Sequence, residues 1–115
     1  MATTFHLVPA AYFESTDERE PYVPEAFEQD GFIHCTDGID HVVQTANRYY
    51  KDDLRGYLVL VIDTTKVRAR IVYEDPDRIY PHLYGPLNRD AILATLPVPR
   101  AADGSFLAPS HAPQR

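Results

Sequence analysis

A chain of 115 residues, 44% hydrophobic and 24% charged, has the composition of one packed domain, too short for two cores and too apolar for disorder. Eleven Lys and Arg against seventeen Asp and Glu give a net charge of −6, which argues against duplex nucleic acid as a partner, since phosphate binding needs a basic face. The longest apolar run, Leu58–Ile62, is far shorter than a membrane span, so no membrane association is expected.

Cys35 is the one cysteine. A lone thiol fits a reducing compartment, and Met1-Ala-Thr-Thr-Phe-His lacks the basic and apolar segments of a signal peptide, so a cytoplasmic location is expected. Charge is uneven: Glu14–Asp30 carries seven acids and one base, Arg19, whereas Leu54–Arg100 carries seven bases and five acids. Such a gradient can steer a small anion toward the basic body, or simply keep an exposed loop solvated.

In chain order, Thr4–Val8 reads as a strand and Ala10–Glu14 as a short helix, with Pro9 at its first turn. Residues 15–23 read as a loop and Pro24–Gln29 as a second short helix, which Gly31 stops. Phe32–Cys35 is a strand. Asp37–Tyr50 is the clearest element: Ile39, Val42, Val43, Ala46, Tyr49 and Tyr50 recur at helical spacing, Thr36 or Asp37 can cap it, and Arg48 lies on its polar face. Tyr57–Ile62 is unbroken and β-branched, as a central strand buried on both faces requires. After a turn at Asp63–Lys66, Arg68–Glu74 is expected as its partner strand. Ile79–Tyr84 is extended, Gly85-Pro86 turns the chain, and Ala91–Val98 is the last strand. The fold class is α+β: a compact, split or curved, mostly antiparallel sheet with one main helix and short helices. Residues 1–100 form the domain. The Pro-containing stretch 101–115 reads as a flexible tail with Phe106-Leu107 as its anchor.

No nucleotide-binding glycine motif, zincin pair, Cys-x-x-Cys or serine-hydrolase elbow is present. Two weaker patterns remain. In Gly31–Thr36, strand alternation puts Ile33 and Cys35 toward the core and Phe32, His34 and Thr36 on the opposite face. In Tyr80–Gly85, the same alternation aligns Tyr80, His82 and Tyr84, a row able to stack on a planar ring, while Gly85 can admit a ligand to the backbone. His34 and His82 are the candidate catalytic residues. Thr36, Arg48 and Tyr84 are the candidate ligand-binding residues, with Arg48 as an anion clamp. The bland alternatives are a backbone-bonded structural histidine, a helix cap and ordinary cross-strand packing. His34 and Cys35 face opposite ways and His41 adds no familiar spacing, so no metal site is expected.

Thr4-Phe-His-Leu-Val, Gly31-Phe-Ile-His-Cys-Thr36, Ala46-Asn-Arg-Tyr-Tyr50 and Pro81-His-Leu-Tyr-Gly-Pro-Leu87 together resemble the bacterial family 952 of the domains of unknown function, across residues 4–98. The resemblance implies a fold like that of the ADP-ribosyltransferases, with a cleft that holds NAD in active members. There an early-strand histidine and a following hydroxyl residue, matched by His34 and Thr36, contact ribose and nicotinamide. A later tyrosine, matched by Tyr84 or Tyr49, stacks on the ring. A late glutamate completes that set. Here no glutamate follows Glu74, and His82 stands instead, which resembles the RNA 2′-phosphotransferase branch; its phosphate-binding arginines would have to come from Arg48 and Arg19, whose positions do not clearly match.

Three functions follow as expectations. The first is an NAD-, nucleotide- or phosphate-type binding cleft with ADP-ribosyl- or phosphotransferase activity, its partner a small molecule. The second is a non-catalytic interaction module that keeps the fold, with no particular protein partner indicated. The third is a hydrolase using the two histidines as acid and base. The ligand-site readings require both imidazoles within roughly 10 Å of each other along one concave surface.

Overall fold

The apolar run Tyr57–Ile62, followed by Asp63, is the central strand of the first of two sheets. The computed structural model describes residues 2–109 and contains β1 (Thr3–Pro9), α1 (Ala10–Ser15), α2 (Phe27–Asp30), β2 (Ile33–His34), α3 (Ile39–Tyr49), β3 (Tyr57–Asp63), β4 (Arg70–Tyr73), β5 (Pro81–Tyr84), a 3₁₀ turn (Arg89–Ala91) and β6 (Ile92–Pro97). The strands form two antiparallel three-stranded sheets, β1–β3–β6 and β2–β5–β4. A single bridge between Phe5 and Thr36 joins them. Each of those two residues donates its amide to the other's carbonyl, at 3.0 and 2.8 Å. The α+β class and the split, antiparallel sheet follow directly.

β3 reads as a continuous apolar run because both its faces are covered. Leu60 and Ile62 pack with Ile33 and Leu83 of the second sheet and with Cys35 just beyond β2, whereas Tyr57 and Val59 pack with Val42 and Ala46 of α3. Its neighbours are β1 and β6, not the following segment as the sequence suggests. Asp63 accepts the Thr65 amide and turns the chain, and Val67 and Ala69 pack on the core beneath the second sheet, so β4 pairs with β5 instead. The strand expected over 68–74 is confined to Arg70–Tyr73.

Helix α3 begins two residues later than its periodicity predicts. Gly38, at φ +83°, is the N-cap, and no side chain caps the helix. Asp37 is diverted: its Oδ2 accepts the Tyr73 hydroxyl proton at 2.5 Å. Gly85, expected to admit a ligand, has a structural reason instead. Its φ is +154°, and a Cβ there would sit 3.1 Å from the Ala69 side chain, so glycine permits close packing of the two turns.

The chain stays attached beyond residue 100. Phe106 is 1% exposed, meets Tyr57 edge-on at 5.6 Å, and lies 4.0 Å beneath the Arg100 guanidinium. Asn47 Nδ2 donates to the Phe106 carbonyl and Asn47 Oδ1 accepts the Phe106 amide. Arg100 also donates to the carbonyls of Lys51, Asp53 and Arg55. The expected boundary at residue 100 therefore gives way to a docked segment through Phe106, while Leu107 is exposed. Residues 110–115 of the expected tail lie outside the described residues.

Candidate functional site

β1 and β2 separate immediately after their single bridge, and this separation positions the site. If the ladder continued from Phe5 and Thr36, Leu7 would pair with His34. Instead the His34 carbonyl accepts from Nδ1–H of His6 at 2.7 Å, so the ring of His6 stands between the strands. A carbonyl only accepts, so Nδ1 carries the proton, and Nε2 accepts from the Tyr22 hydroxyl at 2.8 Å. Burial lowers the His6 pKa to about 4, which keeps the ring neutral. The alternation of Thr4, His6 and Val8 toward the interior was visible in the sequence, but this role for His6 was missed.

Two concave compartments open beside this wedge, of about 210 and about 330 Å³. They share His34, Thr36 and Thr45. The first is walled by Tyr12, Tyr22, Tyr50 and Tyr57, with Arg55 and Glu25 beside them. The second is lined by His82, Arg48, Tyr49, Tyr80 and Asp75. The polar face of α3 thus borders the cleft through Thr45 and Arg48.

His34 and His82 are directly opposite residues in the β2–β5 ladder. That register brings their rings to 5.4 Å between centroids, edge to face. Phe32 stacks on His82 at 3.9 Å and 13°, and meets His34 edge-on at 4.6 Å. Each imidazole has a carboxylate partner: His34 Nε2 lies 3.1 Å from Asp30, and His82 Nδ1 lies 2.8 Å from Glu74. The Tyr84 hydroxyl also donates to Glu74. The bonds from Tyr84 and His82 hold the Glu74 carboxyl below its ordinary value. Neither Glu74 nor Asp30 was singled out as a partner from the sequence, because their spacing from the histidines matches no familiar motif.

The remaining candidates separate. Thr36 lies at the bridge and lines both compartments. Arg48 lines the second, with no carboxylate in ion-pair contact among the described residues. Tyr84 lines neither compartment; its ring lies under the Arg70 guanidinium at 5.4 Å, and its hydroxyl is committed to Glu74. Arg19 pairs with Asp17 away from both. Cys35 is buried, and burial pushes its thiol far up, which disfavours the thiolate form. Asp75 lines the second compartment, but both its oxygens accept backbone amides, from Ile79 and Tyr80. Among the described residues, no three His, Cys, Asp or Glu side chains gather as metal ligands, and no helix is long and apolar enough to cross a membrane.

The same architecture occurs in the crystal structure of protein CC0527 from Caulobacter crescentus and in that of its double mutant. Each is 17% identical, with a TM-score of 0.76 over 92% of this chain and 94% of that one. At that identity the likeness concerns the fold alone. No curated protein matches the sequence. The family model described as "Protein of unknown function (DUF952)" matches residues 7–95, most of the chain and the whole of the cleft's two-histidine ladder, and the chain belongs to that family.

Proposed function

We propose that the cleft binds a small phosphate-bearing, nucleotide-type ligand and that the domain performs transfer chemistry on it. The observation that carries this reading is the convergence of His34 and His82, at 5.4 Å, in a compartment that also presents Arg48. Imidazole and guanidinium donors favour an anionic group, and the tyrosine-walled first compartment suits a flat heterocycle. The split between β1 and β2 supports an ADP-ribosyltransferase-like reading of the fold, in which NAD is one ligand to test. The residues fit the phosphate and ribose parts of NAD better than reaction at its nicotinamide ribose carbon. The carboxylate in the second compartment, Asp75, is spent on backbone amides.

Thermal-shift measurements with NAD, ADP-ribose, AMP and inorganic phosphate test the reading. A ligand at a hundred times its Kd adds about 2.7 kcal/mol. We expect a shift with at least one of them, and its loss in both His34→Ala and Arg48→Ala without a fall in the melting temperature of the free protein. The absence of any shift would remove the proposal. It would favour a non-catalytic interaction module, a reading supported by the fact that both imidazoles already have carboxylate partners within the protein.

A further inference from the structure

We infer that His82 and His34 form a general base and general acid for cleavage of a small phosphodiester, with Glu74 as the positioning residue for His82. This rests on reading the second compartment as a phosphate site.

The assignment begins with proton positions. A carboxylate accepts and does not donate, so the 2.8 Å contact places a proton on His82 Nδ1 and leaves the Nε2 lone pair free. Glu74 is itself fixed by the Tyr84 hydroxyl, and Phe32 covers one face of the His82 ring. His82 is thereby held in one tautomer and one orientation while it lines the second compartment. His34 lies at the wetter position, its side chain 62% exposed against 20% for His82. Asp30 lies 3.1 Å from its Nε2, and Nδ1 is the nitrogen left for a leaving group.

Rings this close can each reach one of the two apical oxygens around a single phosphorus, within the roughly 3 Å that proton transfer needs. His82 Nε2 takes the proton of a water molecule as its oxygen bonds to phosphorus. The bond from phosphorus to the leaving oxygen breaks, and that oxygen takes the proton of the His34 imidazolium. Arg48 offsets the charge on the phosphoryl oxygens. Solvent then restores both imidazoles. The net reaction is phosphodiester plus water to phosphomonoester plus alcohol, with no other reactant. A small substrate is indicated because the chain carries a net charge of −6 and the second compartment offers one guanidinium. With the tyrosine-walled compartment beside it, a nucleoside 2′,3′-cyclic phosphate is the best match.

The probes are adenosine 2′,3′-cyclic phosphate, followed by phosphorus NMR, and bis(p-nitrophenyl) phosphate, followed by absorbance. Turnover is expected with the wild-type protein; on the cyclic phosphate it falls about a hundredfold or more in His34→Ala and in His82→Ala, whereas on bis(p-nitrophenyl) phosphate, whose p-nitrophenolate leaves without a proton, His82→Ala keeps that fall and His34→Ala loses far less. Glu74→Ala is expected to lose about tenfold, with partial rescue by Glu74→Gln, whose carbonyl oxygen still accepts from Nδ1. Nitrogen-15 spectra of the free protein are expected to show His82 as the Nδ1–H tautomer in wild type and in Glu74→Gln, and as a mixture in Glu74→Ala. No turnover by protein that is stabilised by phosphate would overturn the acid–base assignment and leave the binding site standing. Failure of both turnover and stabilisation would overturn both. Turnover unchanged in His82→Ala, or a tautomer unchanged in Glu74→Ala, would remove the roles given to those residues.

Discussion

Phe106→Ala is expected to destabilise the protein by about 3–5 kcal/mol, the range for removing a fully buried aromatic ring. The ring closes the end of the core formed by α3 and β3, with Tyr57 and Val98 beside it. Arg100 covers the ring at 4.0 Å while four backbone carbonyls hold its guanidinium. Removal therefore opens a cavity and exposes the loop between α3 and β3, which Arg100 ties down. For a domain of roughly 100 residues, 1 kcal/mol moves the melting temperature by about 4–8 °C, so the fall should exceed about 12 °C. Leu107→Ala, at a 46% exposed neighbour, should stay within about 0.5 kcal/mol. Urea unfolding of both variants checks the contrast. Equal small effects would show that the segment after residue 100 does not contribute to the core.

His6→Ala is expected to cost about 3 kcal/mol at neutral pH and to change how stability depends on pH. The substitution leaves the buried Tyr22 hydroxyl and the His34 carbonyl without partners, each costing about 1–3 kcal/mol. It also removes the ring that lies between β1 and β2, so the thermal shift proposed for phosphate-type ligands should be lost with it. The folded protein keeps His6 neutral down to about pH 4, whereas the unfolded chain takes up a proton below about 6.5. The unfolded state thus binds more protons between those values, and stability rises with pH across that window. It is fully present above about pH 6.5 and is lost as pH falls toward 4, by about 3 kcal/mol in total. The carboxyls of Glu74 and Asp75, both held low, add their own losses only as pH falls past their ordinary values of 4.5 and 3.8. Denaturant titrations at a series of pH values should show the loss beginning below about pH 6.5 in wild type, and in His6→Ala no loss until the carboxylates begin to protonate near 4.5. A wild-type curve flat from pH 4 to 6.5 would contradict the neutral, buried wedge.

Much of the site was legible because strand alternation is a local property. Ile33 and Cys35 inward, with His34 outward, follows from two-residue periodicity and needs no tertiary information. Likewise, Leu83 is buried while His82 and Tyr84 point away from it. The register that sets His34 opposite His82 was beyond such reasoning, because it depends on how two distant segments pair. For the same reason β4 was expected beside β3: adjacency in sequence favours a hairpin, and the pull of Val67 and Ala69 toward the other core is a tertiary effect. The cap of α3 was misread because Asp37, a good capping residue, has a stronger claim from Tyr73 across the sheet. Tyr84 looked like a stacking platform from its place in an aromatic row, yet its hydroxyl makes it a support for Glu74. Phe106 was legible as an anchor of the proline-bearing stretch, paired with Leu107, but of the two only Phe106 is buried. Its burial depends on Asn47 and Arg100, which are remote from it or unremarkable in sequence.

The convergence of two imidazoles on one anion is tested most directly by titrating inorganic phosphate into histidine-labelled protein and following the ring resonances of His34 and His82. Both sets should move together and saturate with a single Kd, and Arg48→Ala should weaken that Kd at least severalfold while His6 stays unchanged. Resonances that remain still, or that move for one of the two rings alone, would contradict a shared phosphate site between β2 and β5.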